Sequence, residues 1–160
     1  MYRISRNIEA SLVDFITTEL SADGWKDIRV EKSFAEVYIK TKKLPCILVN
    51  VAESEPTKKE IGSPTFLKYI IVNVRIFADS DGIRLDLKDW FVDKLQEDIN
   101  YYTYTITSGS VIEKILSGKI MVREILREEK ELVNTENLEL IDKYRHLINF
   151  RCYVAKQEDC

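Results

Sequence analysis

From Phe66 to Ala78 apolar residues occupy both parities of an extended chain. Leu67, Tyr69, Ile71 and Phe77 fall on one side, and Ile70, Val72, Val74 and Ile76 on the other. Side chains along a strand alternate between faces, so a run that is apolar at both parities must be kept from water on both. The pattern predicts a long strand with a helix on one face and a second helix or another subunit on the other.

The flanking patterns supply the helices. Ile8, Leu12, Phe15, Ile16 and Leu20 recur at helical spacing, with Glu9, Asp14, Thr17 and Glu19 elsewhere around the cylinder. Ser5 is placed to cap this helix and Asp23-Gly24 to end it. A second stripe, Leu87, Trp90, Phe91, Leu95 and Ile99, follows a capping turn at Asp79-Ser80-Asp81-Gly82, with Asn100 as its stop.

Shorter periods supply the remaining strands. Ile28 and Val30, then Ala35, Val37 and Ile39, alternate with polar residues as two half-exposed strands, and Lys40 to Lys43 forms a turn. Pro45 opens a nearly uniform apolar strand, Cys46 to Val51. Tyr101 to Ile106, Lys119 to Leu126 and Tyr144 to Val154 also have strand character. The order predicts a single α+β domain over residues 1–156, a mostly antiparallel sheet covered by two helices, with residues 157–160 as a flexible tail.

Two polar stretches interrupt this pattern. Residues 53–65, with Glu53, Lys58, Lys59 and Glu60, read as a long loop, and residues 127–142, with Arg127, Glu128, Glu131 and Glu136, read as a solvated loop or protruding arm. Long polar connections are where partner contacts concentrate, which makes these eight residues the candidate contact set.

Composition narrows the chemistry. A chain of 160 residues with 45% hydrophobic and 32% charged residues can bury a core without disulfide or metal staples. The formal net charge of -3 repels nucleic acid. Cys46, Cys152 and Cys160 are odd in number and lack C-x-x-C spacing, so reduced thiols in a cytoplasmic setting are expected. No stretch has the length of a membrane span, and the charged amphipathic N-terminus lacks a secretory pattern.

Catalytic readings find little to stand on. Asp79-Ser80-Asp81-Gly82 begins like a calcium loop, but its spacing is wrong and no Glu closes it. His146, the single histidine, sits between Tyr144 and Ile148 at period two, as a partly buried strand residue would. The five glycines are dispersed, which excludes a phosphate-cradling loop. Asp86 and Lys88 resemble a nuclease carboxylate–lysine pair, yet two residues apart on a helix they face different directions. The Tyr101, Tyr102 and Tyr104 cluster reads as cross-strand packing before it reads as a binding platform. No enzyme activity, cofactor or metal is expected.

Several segments together resemble a known family: the Asn7-Ile8-Glu9-Ala10-Ser11-Leu12 helix, the Leu44-Pro45-Cys46-Ile47-Leu48-Val49 strand, the long strand ending at Asp79, the helix with Trp90 and Leu95, and the closing Tyr144-Arg145-His146-Leu147-Ile148-Asn149-Phe150 strand. In element order, over nearly the whole chain, they are similar to the tail-terminator, or tail-completion, proteins of long-tailed bacteriophages. The resemblance implies a virion subunit, assembled in the host cytoplasm, that forms a ring, a hexamer, capping the finished tail tube. Its partners would be other copies of itself, the tail-tube protein and the head-completion or neck proteins, with DNA only passing through the lumen. Another tail-tube or head–tail joining subunit, and a cellular dimeric α+β binding module, remain open beside it.

Overall fold

The computed structural model describes residues 3–32, 44–58, 66–107, 110–131 and 144–156. Helix α1 spans Ile4–Ala22 and α2 Asp81–Lys94. The strands are β1 (Arg29–Glu31), β2 (Cys46–Lys58), β3 (Phe66–Ala78), β4 (Ile99–Thr107), β5 (Ser110–Lys130) and β6 (Tyr144–Lys156). They form one curled six-stranded sheet in the order β1-β2-β3-β6-β5-β4. The β1–β2 pair is parallel and the other pairings antiparallel, so the sheet is mixed. The second half-exposed strand expected at Ala35 to Ile39, the turn at Lys40 to Lys43 and the tail 157–160 lie outside the described residues.

Both helices pack on the same face. Ile8, Leu12, Ile16 and Leu20 of α1 and Leu87 and Phe91 of α2 meet Ile47, Val49, Ile70, Val72, Val74, Ile76, Ile148 and Phe150 in one buried core. The expected two-helix cover is therefore a cover of one face only. Phe91 lies against Phe150 with ring centroids 6.3 Å apart, and α2 sits over β3 and β6.

α1 does more than cover; it bridges the two outer regions of the curled sheet, touching β4 on one flank and β2 and β1 on the other. At about 100° per residue, Glu9 and Ser11 stand about 80° to either side of the Ile8–Leu12 stripe. Glu9 Oε1 accepts the Val51 N–H at 3.1 Å, where β2 runs past the end of β1. On the opposite flank Ser11 Oγ accepts the Tyr102 N–H at 2.9 Å and donates to the Tyr102 carbonyl at 3.4 Å. All three bonds satisfy backbone groups that the sheet ladder leaves unpaired. Tertiary packing also fixes where α1 begins. Arg3 occupies the cap position without a side-chain bond, and Ser5 lies inside the first turn rather than capping it. The buried Asn7, whose Nδ2 donates to the Tyr101 hydroxyl at 3.3 Å, holds that turn instead. Asp23 and the positive-φ Gly24 end the helix as expected.

α2 starts as expected: Ser80 is extended and its Oγ accepts the Ile83 N–H at 3.3 Å. It ends earlier than expected, however. After Leu95 the chain tightens through Gln96 N–H to Asp93 O and Glu97 N–H to Lys94 O, both at 3.1 Å, and Ile99 and Asn100 open β4. Ile99 is buried in the core from the strand rather than from the helix. Lys94 then ties the two helices, with Nζ 2.8 Å from Glu19 and 3.1 Å from Asp23 of the α1 C-terminal end. These carboxylates hold the Lys94 pKa above the usual lysine value, Glu19 foremost.

The strands are longer than their sequence patterns suggest because each bulge shifts the alternation by one residue. Register breaks between Val51 and Glu53 in β2, and between Val122 and Glu124 and between Ile125 and Arg127 in β5. Residues 53–58 thus continue β2 and residues 127–130 continue β5, which corrects the reading of both stretches as loops from their first residue. Pro56 is tolerated because β1 pairs only with Cys46 to Leu48, leaving that side of β2 without a strand neighbour among the described residues. Gly118 has a separate reason: a Cβ there would stand 2.2 Å from the Ala155 carbonyl oxygen, so the β5–β6 approach excludes any side chain.

Candidate functional site

The face of the sheet on which no described helix packs holds three of the eight predicted contact residues, Glu53, Arg127 and Glu131. Its apolar side chains are few: Cys46, Leu48 and Phe77 form a small buried cluster with Leu44 against it, and Ile71 and Leu147 are also buried. Neither a second helix nor a second subunit is needed to cover Ile71. Arg151 reaches from β6 across β3 to Glu55 of β2, with Nε 3.0 Å from Oε2, and pairs in the other direction with Glu124 of β5. Ile71 is the β3 residue in register with Arg151, so this guanidinium arm lies over it. The Glu55 hydrogen bond, more than Glu124, holds the Arg151 pKa above its usual value.

Further lattice elements follow the same logic. Asn50, Asn73 and Asn149 stand in one row across β2, β3 and β6, and Asn149 Nδ2 donates to Asn73 Oδ1. Glu131 sits 3.3 Å from Arg75 and 3.2 Å from Arg145. Tyr69 packs edge-on against Tyr153, and Arg123 lies over the Tyr69 ring at 5.5 Å while donating to its hydroxyl.

The predicted contact residues therefore have distinct fates. Glu53 follows the β2 bulge and is exposed, while its neighbour Glu55 makes the cross-strand ion pair. Lys58 ends β2 opposite Phe66, and Lys59, Glu60 and Glu136 lie outside the described residues. Arg127, Glu128 and Glu131 come together along β5 and its end, but they engage different partners. Arg127 pairs with Glu129, and Glu128 with Lys88 at 3.3 Å and with His146.

His146 is a satisfied buried histidine, as its strand position suggested. Arg84 Nη1 donates to Nδ1 at 2.7 Å, which makes Nδ1 the acceptor and leaves the ring proton on Nε2, 3.1 Å from Glu128 Oε1. Burial lowers its pKa below 6.5, and the Glu128 bond opposes that shift. The tyrosine cluster divides at a β4–β5 register break. Tyr101 is fully buried, whereas Tyr102 and Tyr104 are half-buried, with Lys114 Nζ 4.1 Å from the Tyr102 ring. Cys46 and Cys152 are both buried, and burial pushes each thiol up to about 12.

Two concavities flank this arrangement. A cleft of about 280 Å³ lies beside α1 and is lined by Arg3, Arg6, Asn7, Asp14, Lys32 and Tyr104. A groove of about 310 Å³ runs between α2 and β5, with Val92, Leu95, Ile120 and Val122 in its wall and Arg123 and Ile125 at its rim. No group of three or more His, Cys, Asp or Glu residues able to hold a metal occurs among the described residues. No described helix is long and apolar enough to cross a membrane.

Sequence reasoning found the middle of β5, Lys119 to Leu126, but missed its full reach from Ser110 to Lys130 and its exposed apolar side chains. Of the six exposed large apolar side chains among the described residues, Ile115, Leu116, Met121, Ile125 and Leu126 all belong to this one strand, leaving only Leu85 outside it. Its signal is present in the sequence as an apolar residue on each side of charged pairs, but the bulges break the period by which strands are recognised. No protein-family model matches the chain, and no curated protein matches it in sequence.

Proposed function

We propose that this chain is a structural assembly subunit that caps a bacteriophage tail tube as a ring, a hexamer, and offers a connecting surface to head-completion proteins. The observation that carries the assembly part is the concentration of exposed apolar side chains on β5, because a monomeric surface rarely gathers them on one element. The tail-terminator part rests on the family resemblance in element order. A passive ring also accords with a net charge of -3, which keeps a lumen from gripping DNA in transit.

In this reading the contact elements are β5 with Arg127, Glu128 and Glu131, and the β2 end with Glu53 and Lys58. The test is the mass of the purified protein by light scattering, with and without assembled tail tubes, followed by negative-stain imaging. Closed rings or caps on tube ends are expected. Polymerisation into tubes would reassign the chain to the tail-tube class, and failure to bind tube ends would overturn the capping role.

A further inference from the structure

β5 has two unlike halves. Ser110 to Ile120 pairs with β4 on one side, and Gly118 to Lys130 pairs with β6 on the other. From Met121 to Lys130, therefore, no described strand pairs with the side of β5 away from β6. Met121, Ile125 and Leu126 are 37, 40 and 41% exposed there. An unpaired edge with apolar side chains is a template for another strand.

The residues on that edge specify which strand. Arg123-Glu124-Ile125-Leu126-Arg127-Glu128 is complementary to itself when two copies run antiparallel. With the two-fold axis between Ile125 and Leu126, Glu124 faces Arg127 and Ile125 faces Leu126, each pair occurring twice, with Arg123 level with Glu128 beyond them. Opposite-charge and apolar cross-strand pairs are the favourable kind. Sliding by one residue places Glu124 against Glu128 or Arg123 against Arg127, so the charges accept this register and reject its neighbours.

In a regular strand this register would be forbidden, because residues opposite each other must share a face and adjacent residues do not. The bulge removes the obstacle. Ile125 is in register with Phe150 and Arg127 with Asn149, so Ile125 and Leu126 together oppose Phe150. Glu124 and Arg127 share the open face, being in register with Arg151 and Asn149, while Glu128 shares the helix face with Ile148. The bulge at Arg123 takes that residue out of the alternation, and its guanidinium turns to the Tyr69 ring and hydroxyl on the open face, so the Glu124–Arg127 and Ile125–Leu126 pairs carry the register.

We infer that two copies of this chain join through the free edge of β5, antiparallel about a two-fold axis between Ile125 and Leu126, extending the sheet across both. The helix-side residues of the incoming strand meet the groove walled by Val92 and Leu95. Such a contact is isologous and self-limiting. It does not depend on the ring reading, since a head-to-tail ring uses two different surfaces.

The test uses the full chain at concentrations up to about 1 mM, a range that reaches weak contacts. Arg127→Glu sets like charges opposite each other twice, and Glu124→Arg does the same. Each variant alone should have half the wild-type particle mass, with self-association weakened by about tenfold or more. Mixed in equal amounts, the two should regain the wild-type mass, because both pairs are then of opposite charge. Leu126→Asp, at an exposed position in the single chain, should also halve the mass while leaving the melting temperature of the dissociated chain unchanged. A wild-type mass equal to that of the variants, or variants that associate as wild type does, would overturn the inference, as would failure of the mixture to reassociate. Tube-end binding is read separately by imaging, so either proposal can fail while the other stands.

Discussion

The helix-covered face of the sheet and the face opposite it exclude water by different means. On the first, α1 and α2 lay Ile8, Leu12, Leu87 and Phe91 onto a continuous apolar surface. On the second, Arg151 links four strands, β2 to β5, between Glu55 and Glu124, Arg75 and Arg145 converge on Glu131, and Asn73 meets Asn149. Ile71 is buried there with no described helix above it. The two covers differ in energy: apolar packing gains from every contact atom, whereas half-exposed ion pairs gain little beyond the apolar area of their stems. The open face is thus kept dry where it is crossed by long side chains and stays polar enough to face water or another protein.

The largest effect should come from the helix face. Phe91→Ala removes a fully buried ring packed on Phe150 and should cost about 3–5 kcal/mol, read from the denaturant midpoint at constant slope. A loss below that of an open-face truncation such as Ile71→Ala would reverse the comparison. Next comes the seam that α1 closes. Ser11→Ala leaves the Tyr102 N–H and carbonyl without their side-chain partner and should cost about 1–3 kcal/mol. Hydrogen exchange at the Tyr102 amide should rise more than at core amides of β3.

On the open face, Arg151→Ala should lower the denaturant midpoint far less than Phe91→Ala does, and Arg151→Met less still, since Met keeps an apolar stem over Ile71. Raising salt should shrink the difference between wild type and Arg151→Met but leave the Phe91→Ala loss unchanged. Equal salt dependence in both variants would show that the two faces are not distinct in kind.

The smallest effect is a pH dependence on the helix side, where α2 meets β6. His146 is neutral in the fold with its pKa below 6.5, so its contribution is fully present above pH 6.5 and is lost as pH falls through the lowered native value. His146→Gln should flatten the part of the stability decline that begins just below pH 6.5. An unchanged profile would mean that the Arg84–His146–Glu128 chain does not titrate on folding.

Much of the fold was legible in the residues. The α1 stripe, the Ser80 cap, the Asp23-Gly24 stop and the two-faced β3 each follow from local pattern and local backbone chemistry. The candidate site was less legible. Glu53, Arg127 and Glu128 were named as loop residues, yet each lies in a strand beyond a bulge, where polar residues fall out of period and imitate a loop. The self-complementary run Arg123 to Glu128 is visible in the sequence, but its meaning depends on which side of β5 lacks a neighbour among the described strands.

By itself, the sequence determined the elements whose cause is local: helices from a repeating apolar stripe, strands from unbroken alternation, turns from Ser, Asp and Gly, and a histidine destined to be buried between Tyr144 and Ile148. Tertiary structure alone decided the rest. It placed both described helices on one face, let Glu9 and Ser11 seal opposite sides of the curled sheet, drew Arg151 across Ile71, and left one side of the second half of β5 without a strand partner among the described residues. The physical reason is range: a stripe or cap is an interaction among residues a few positions apart, whereas Ser11 and Tyr102, or Glu55 and Arg151, become neighbours only once the whole sheet has closed.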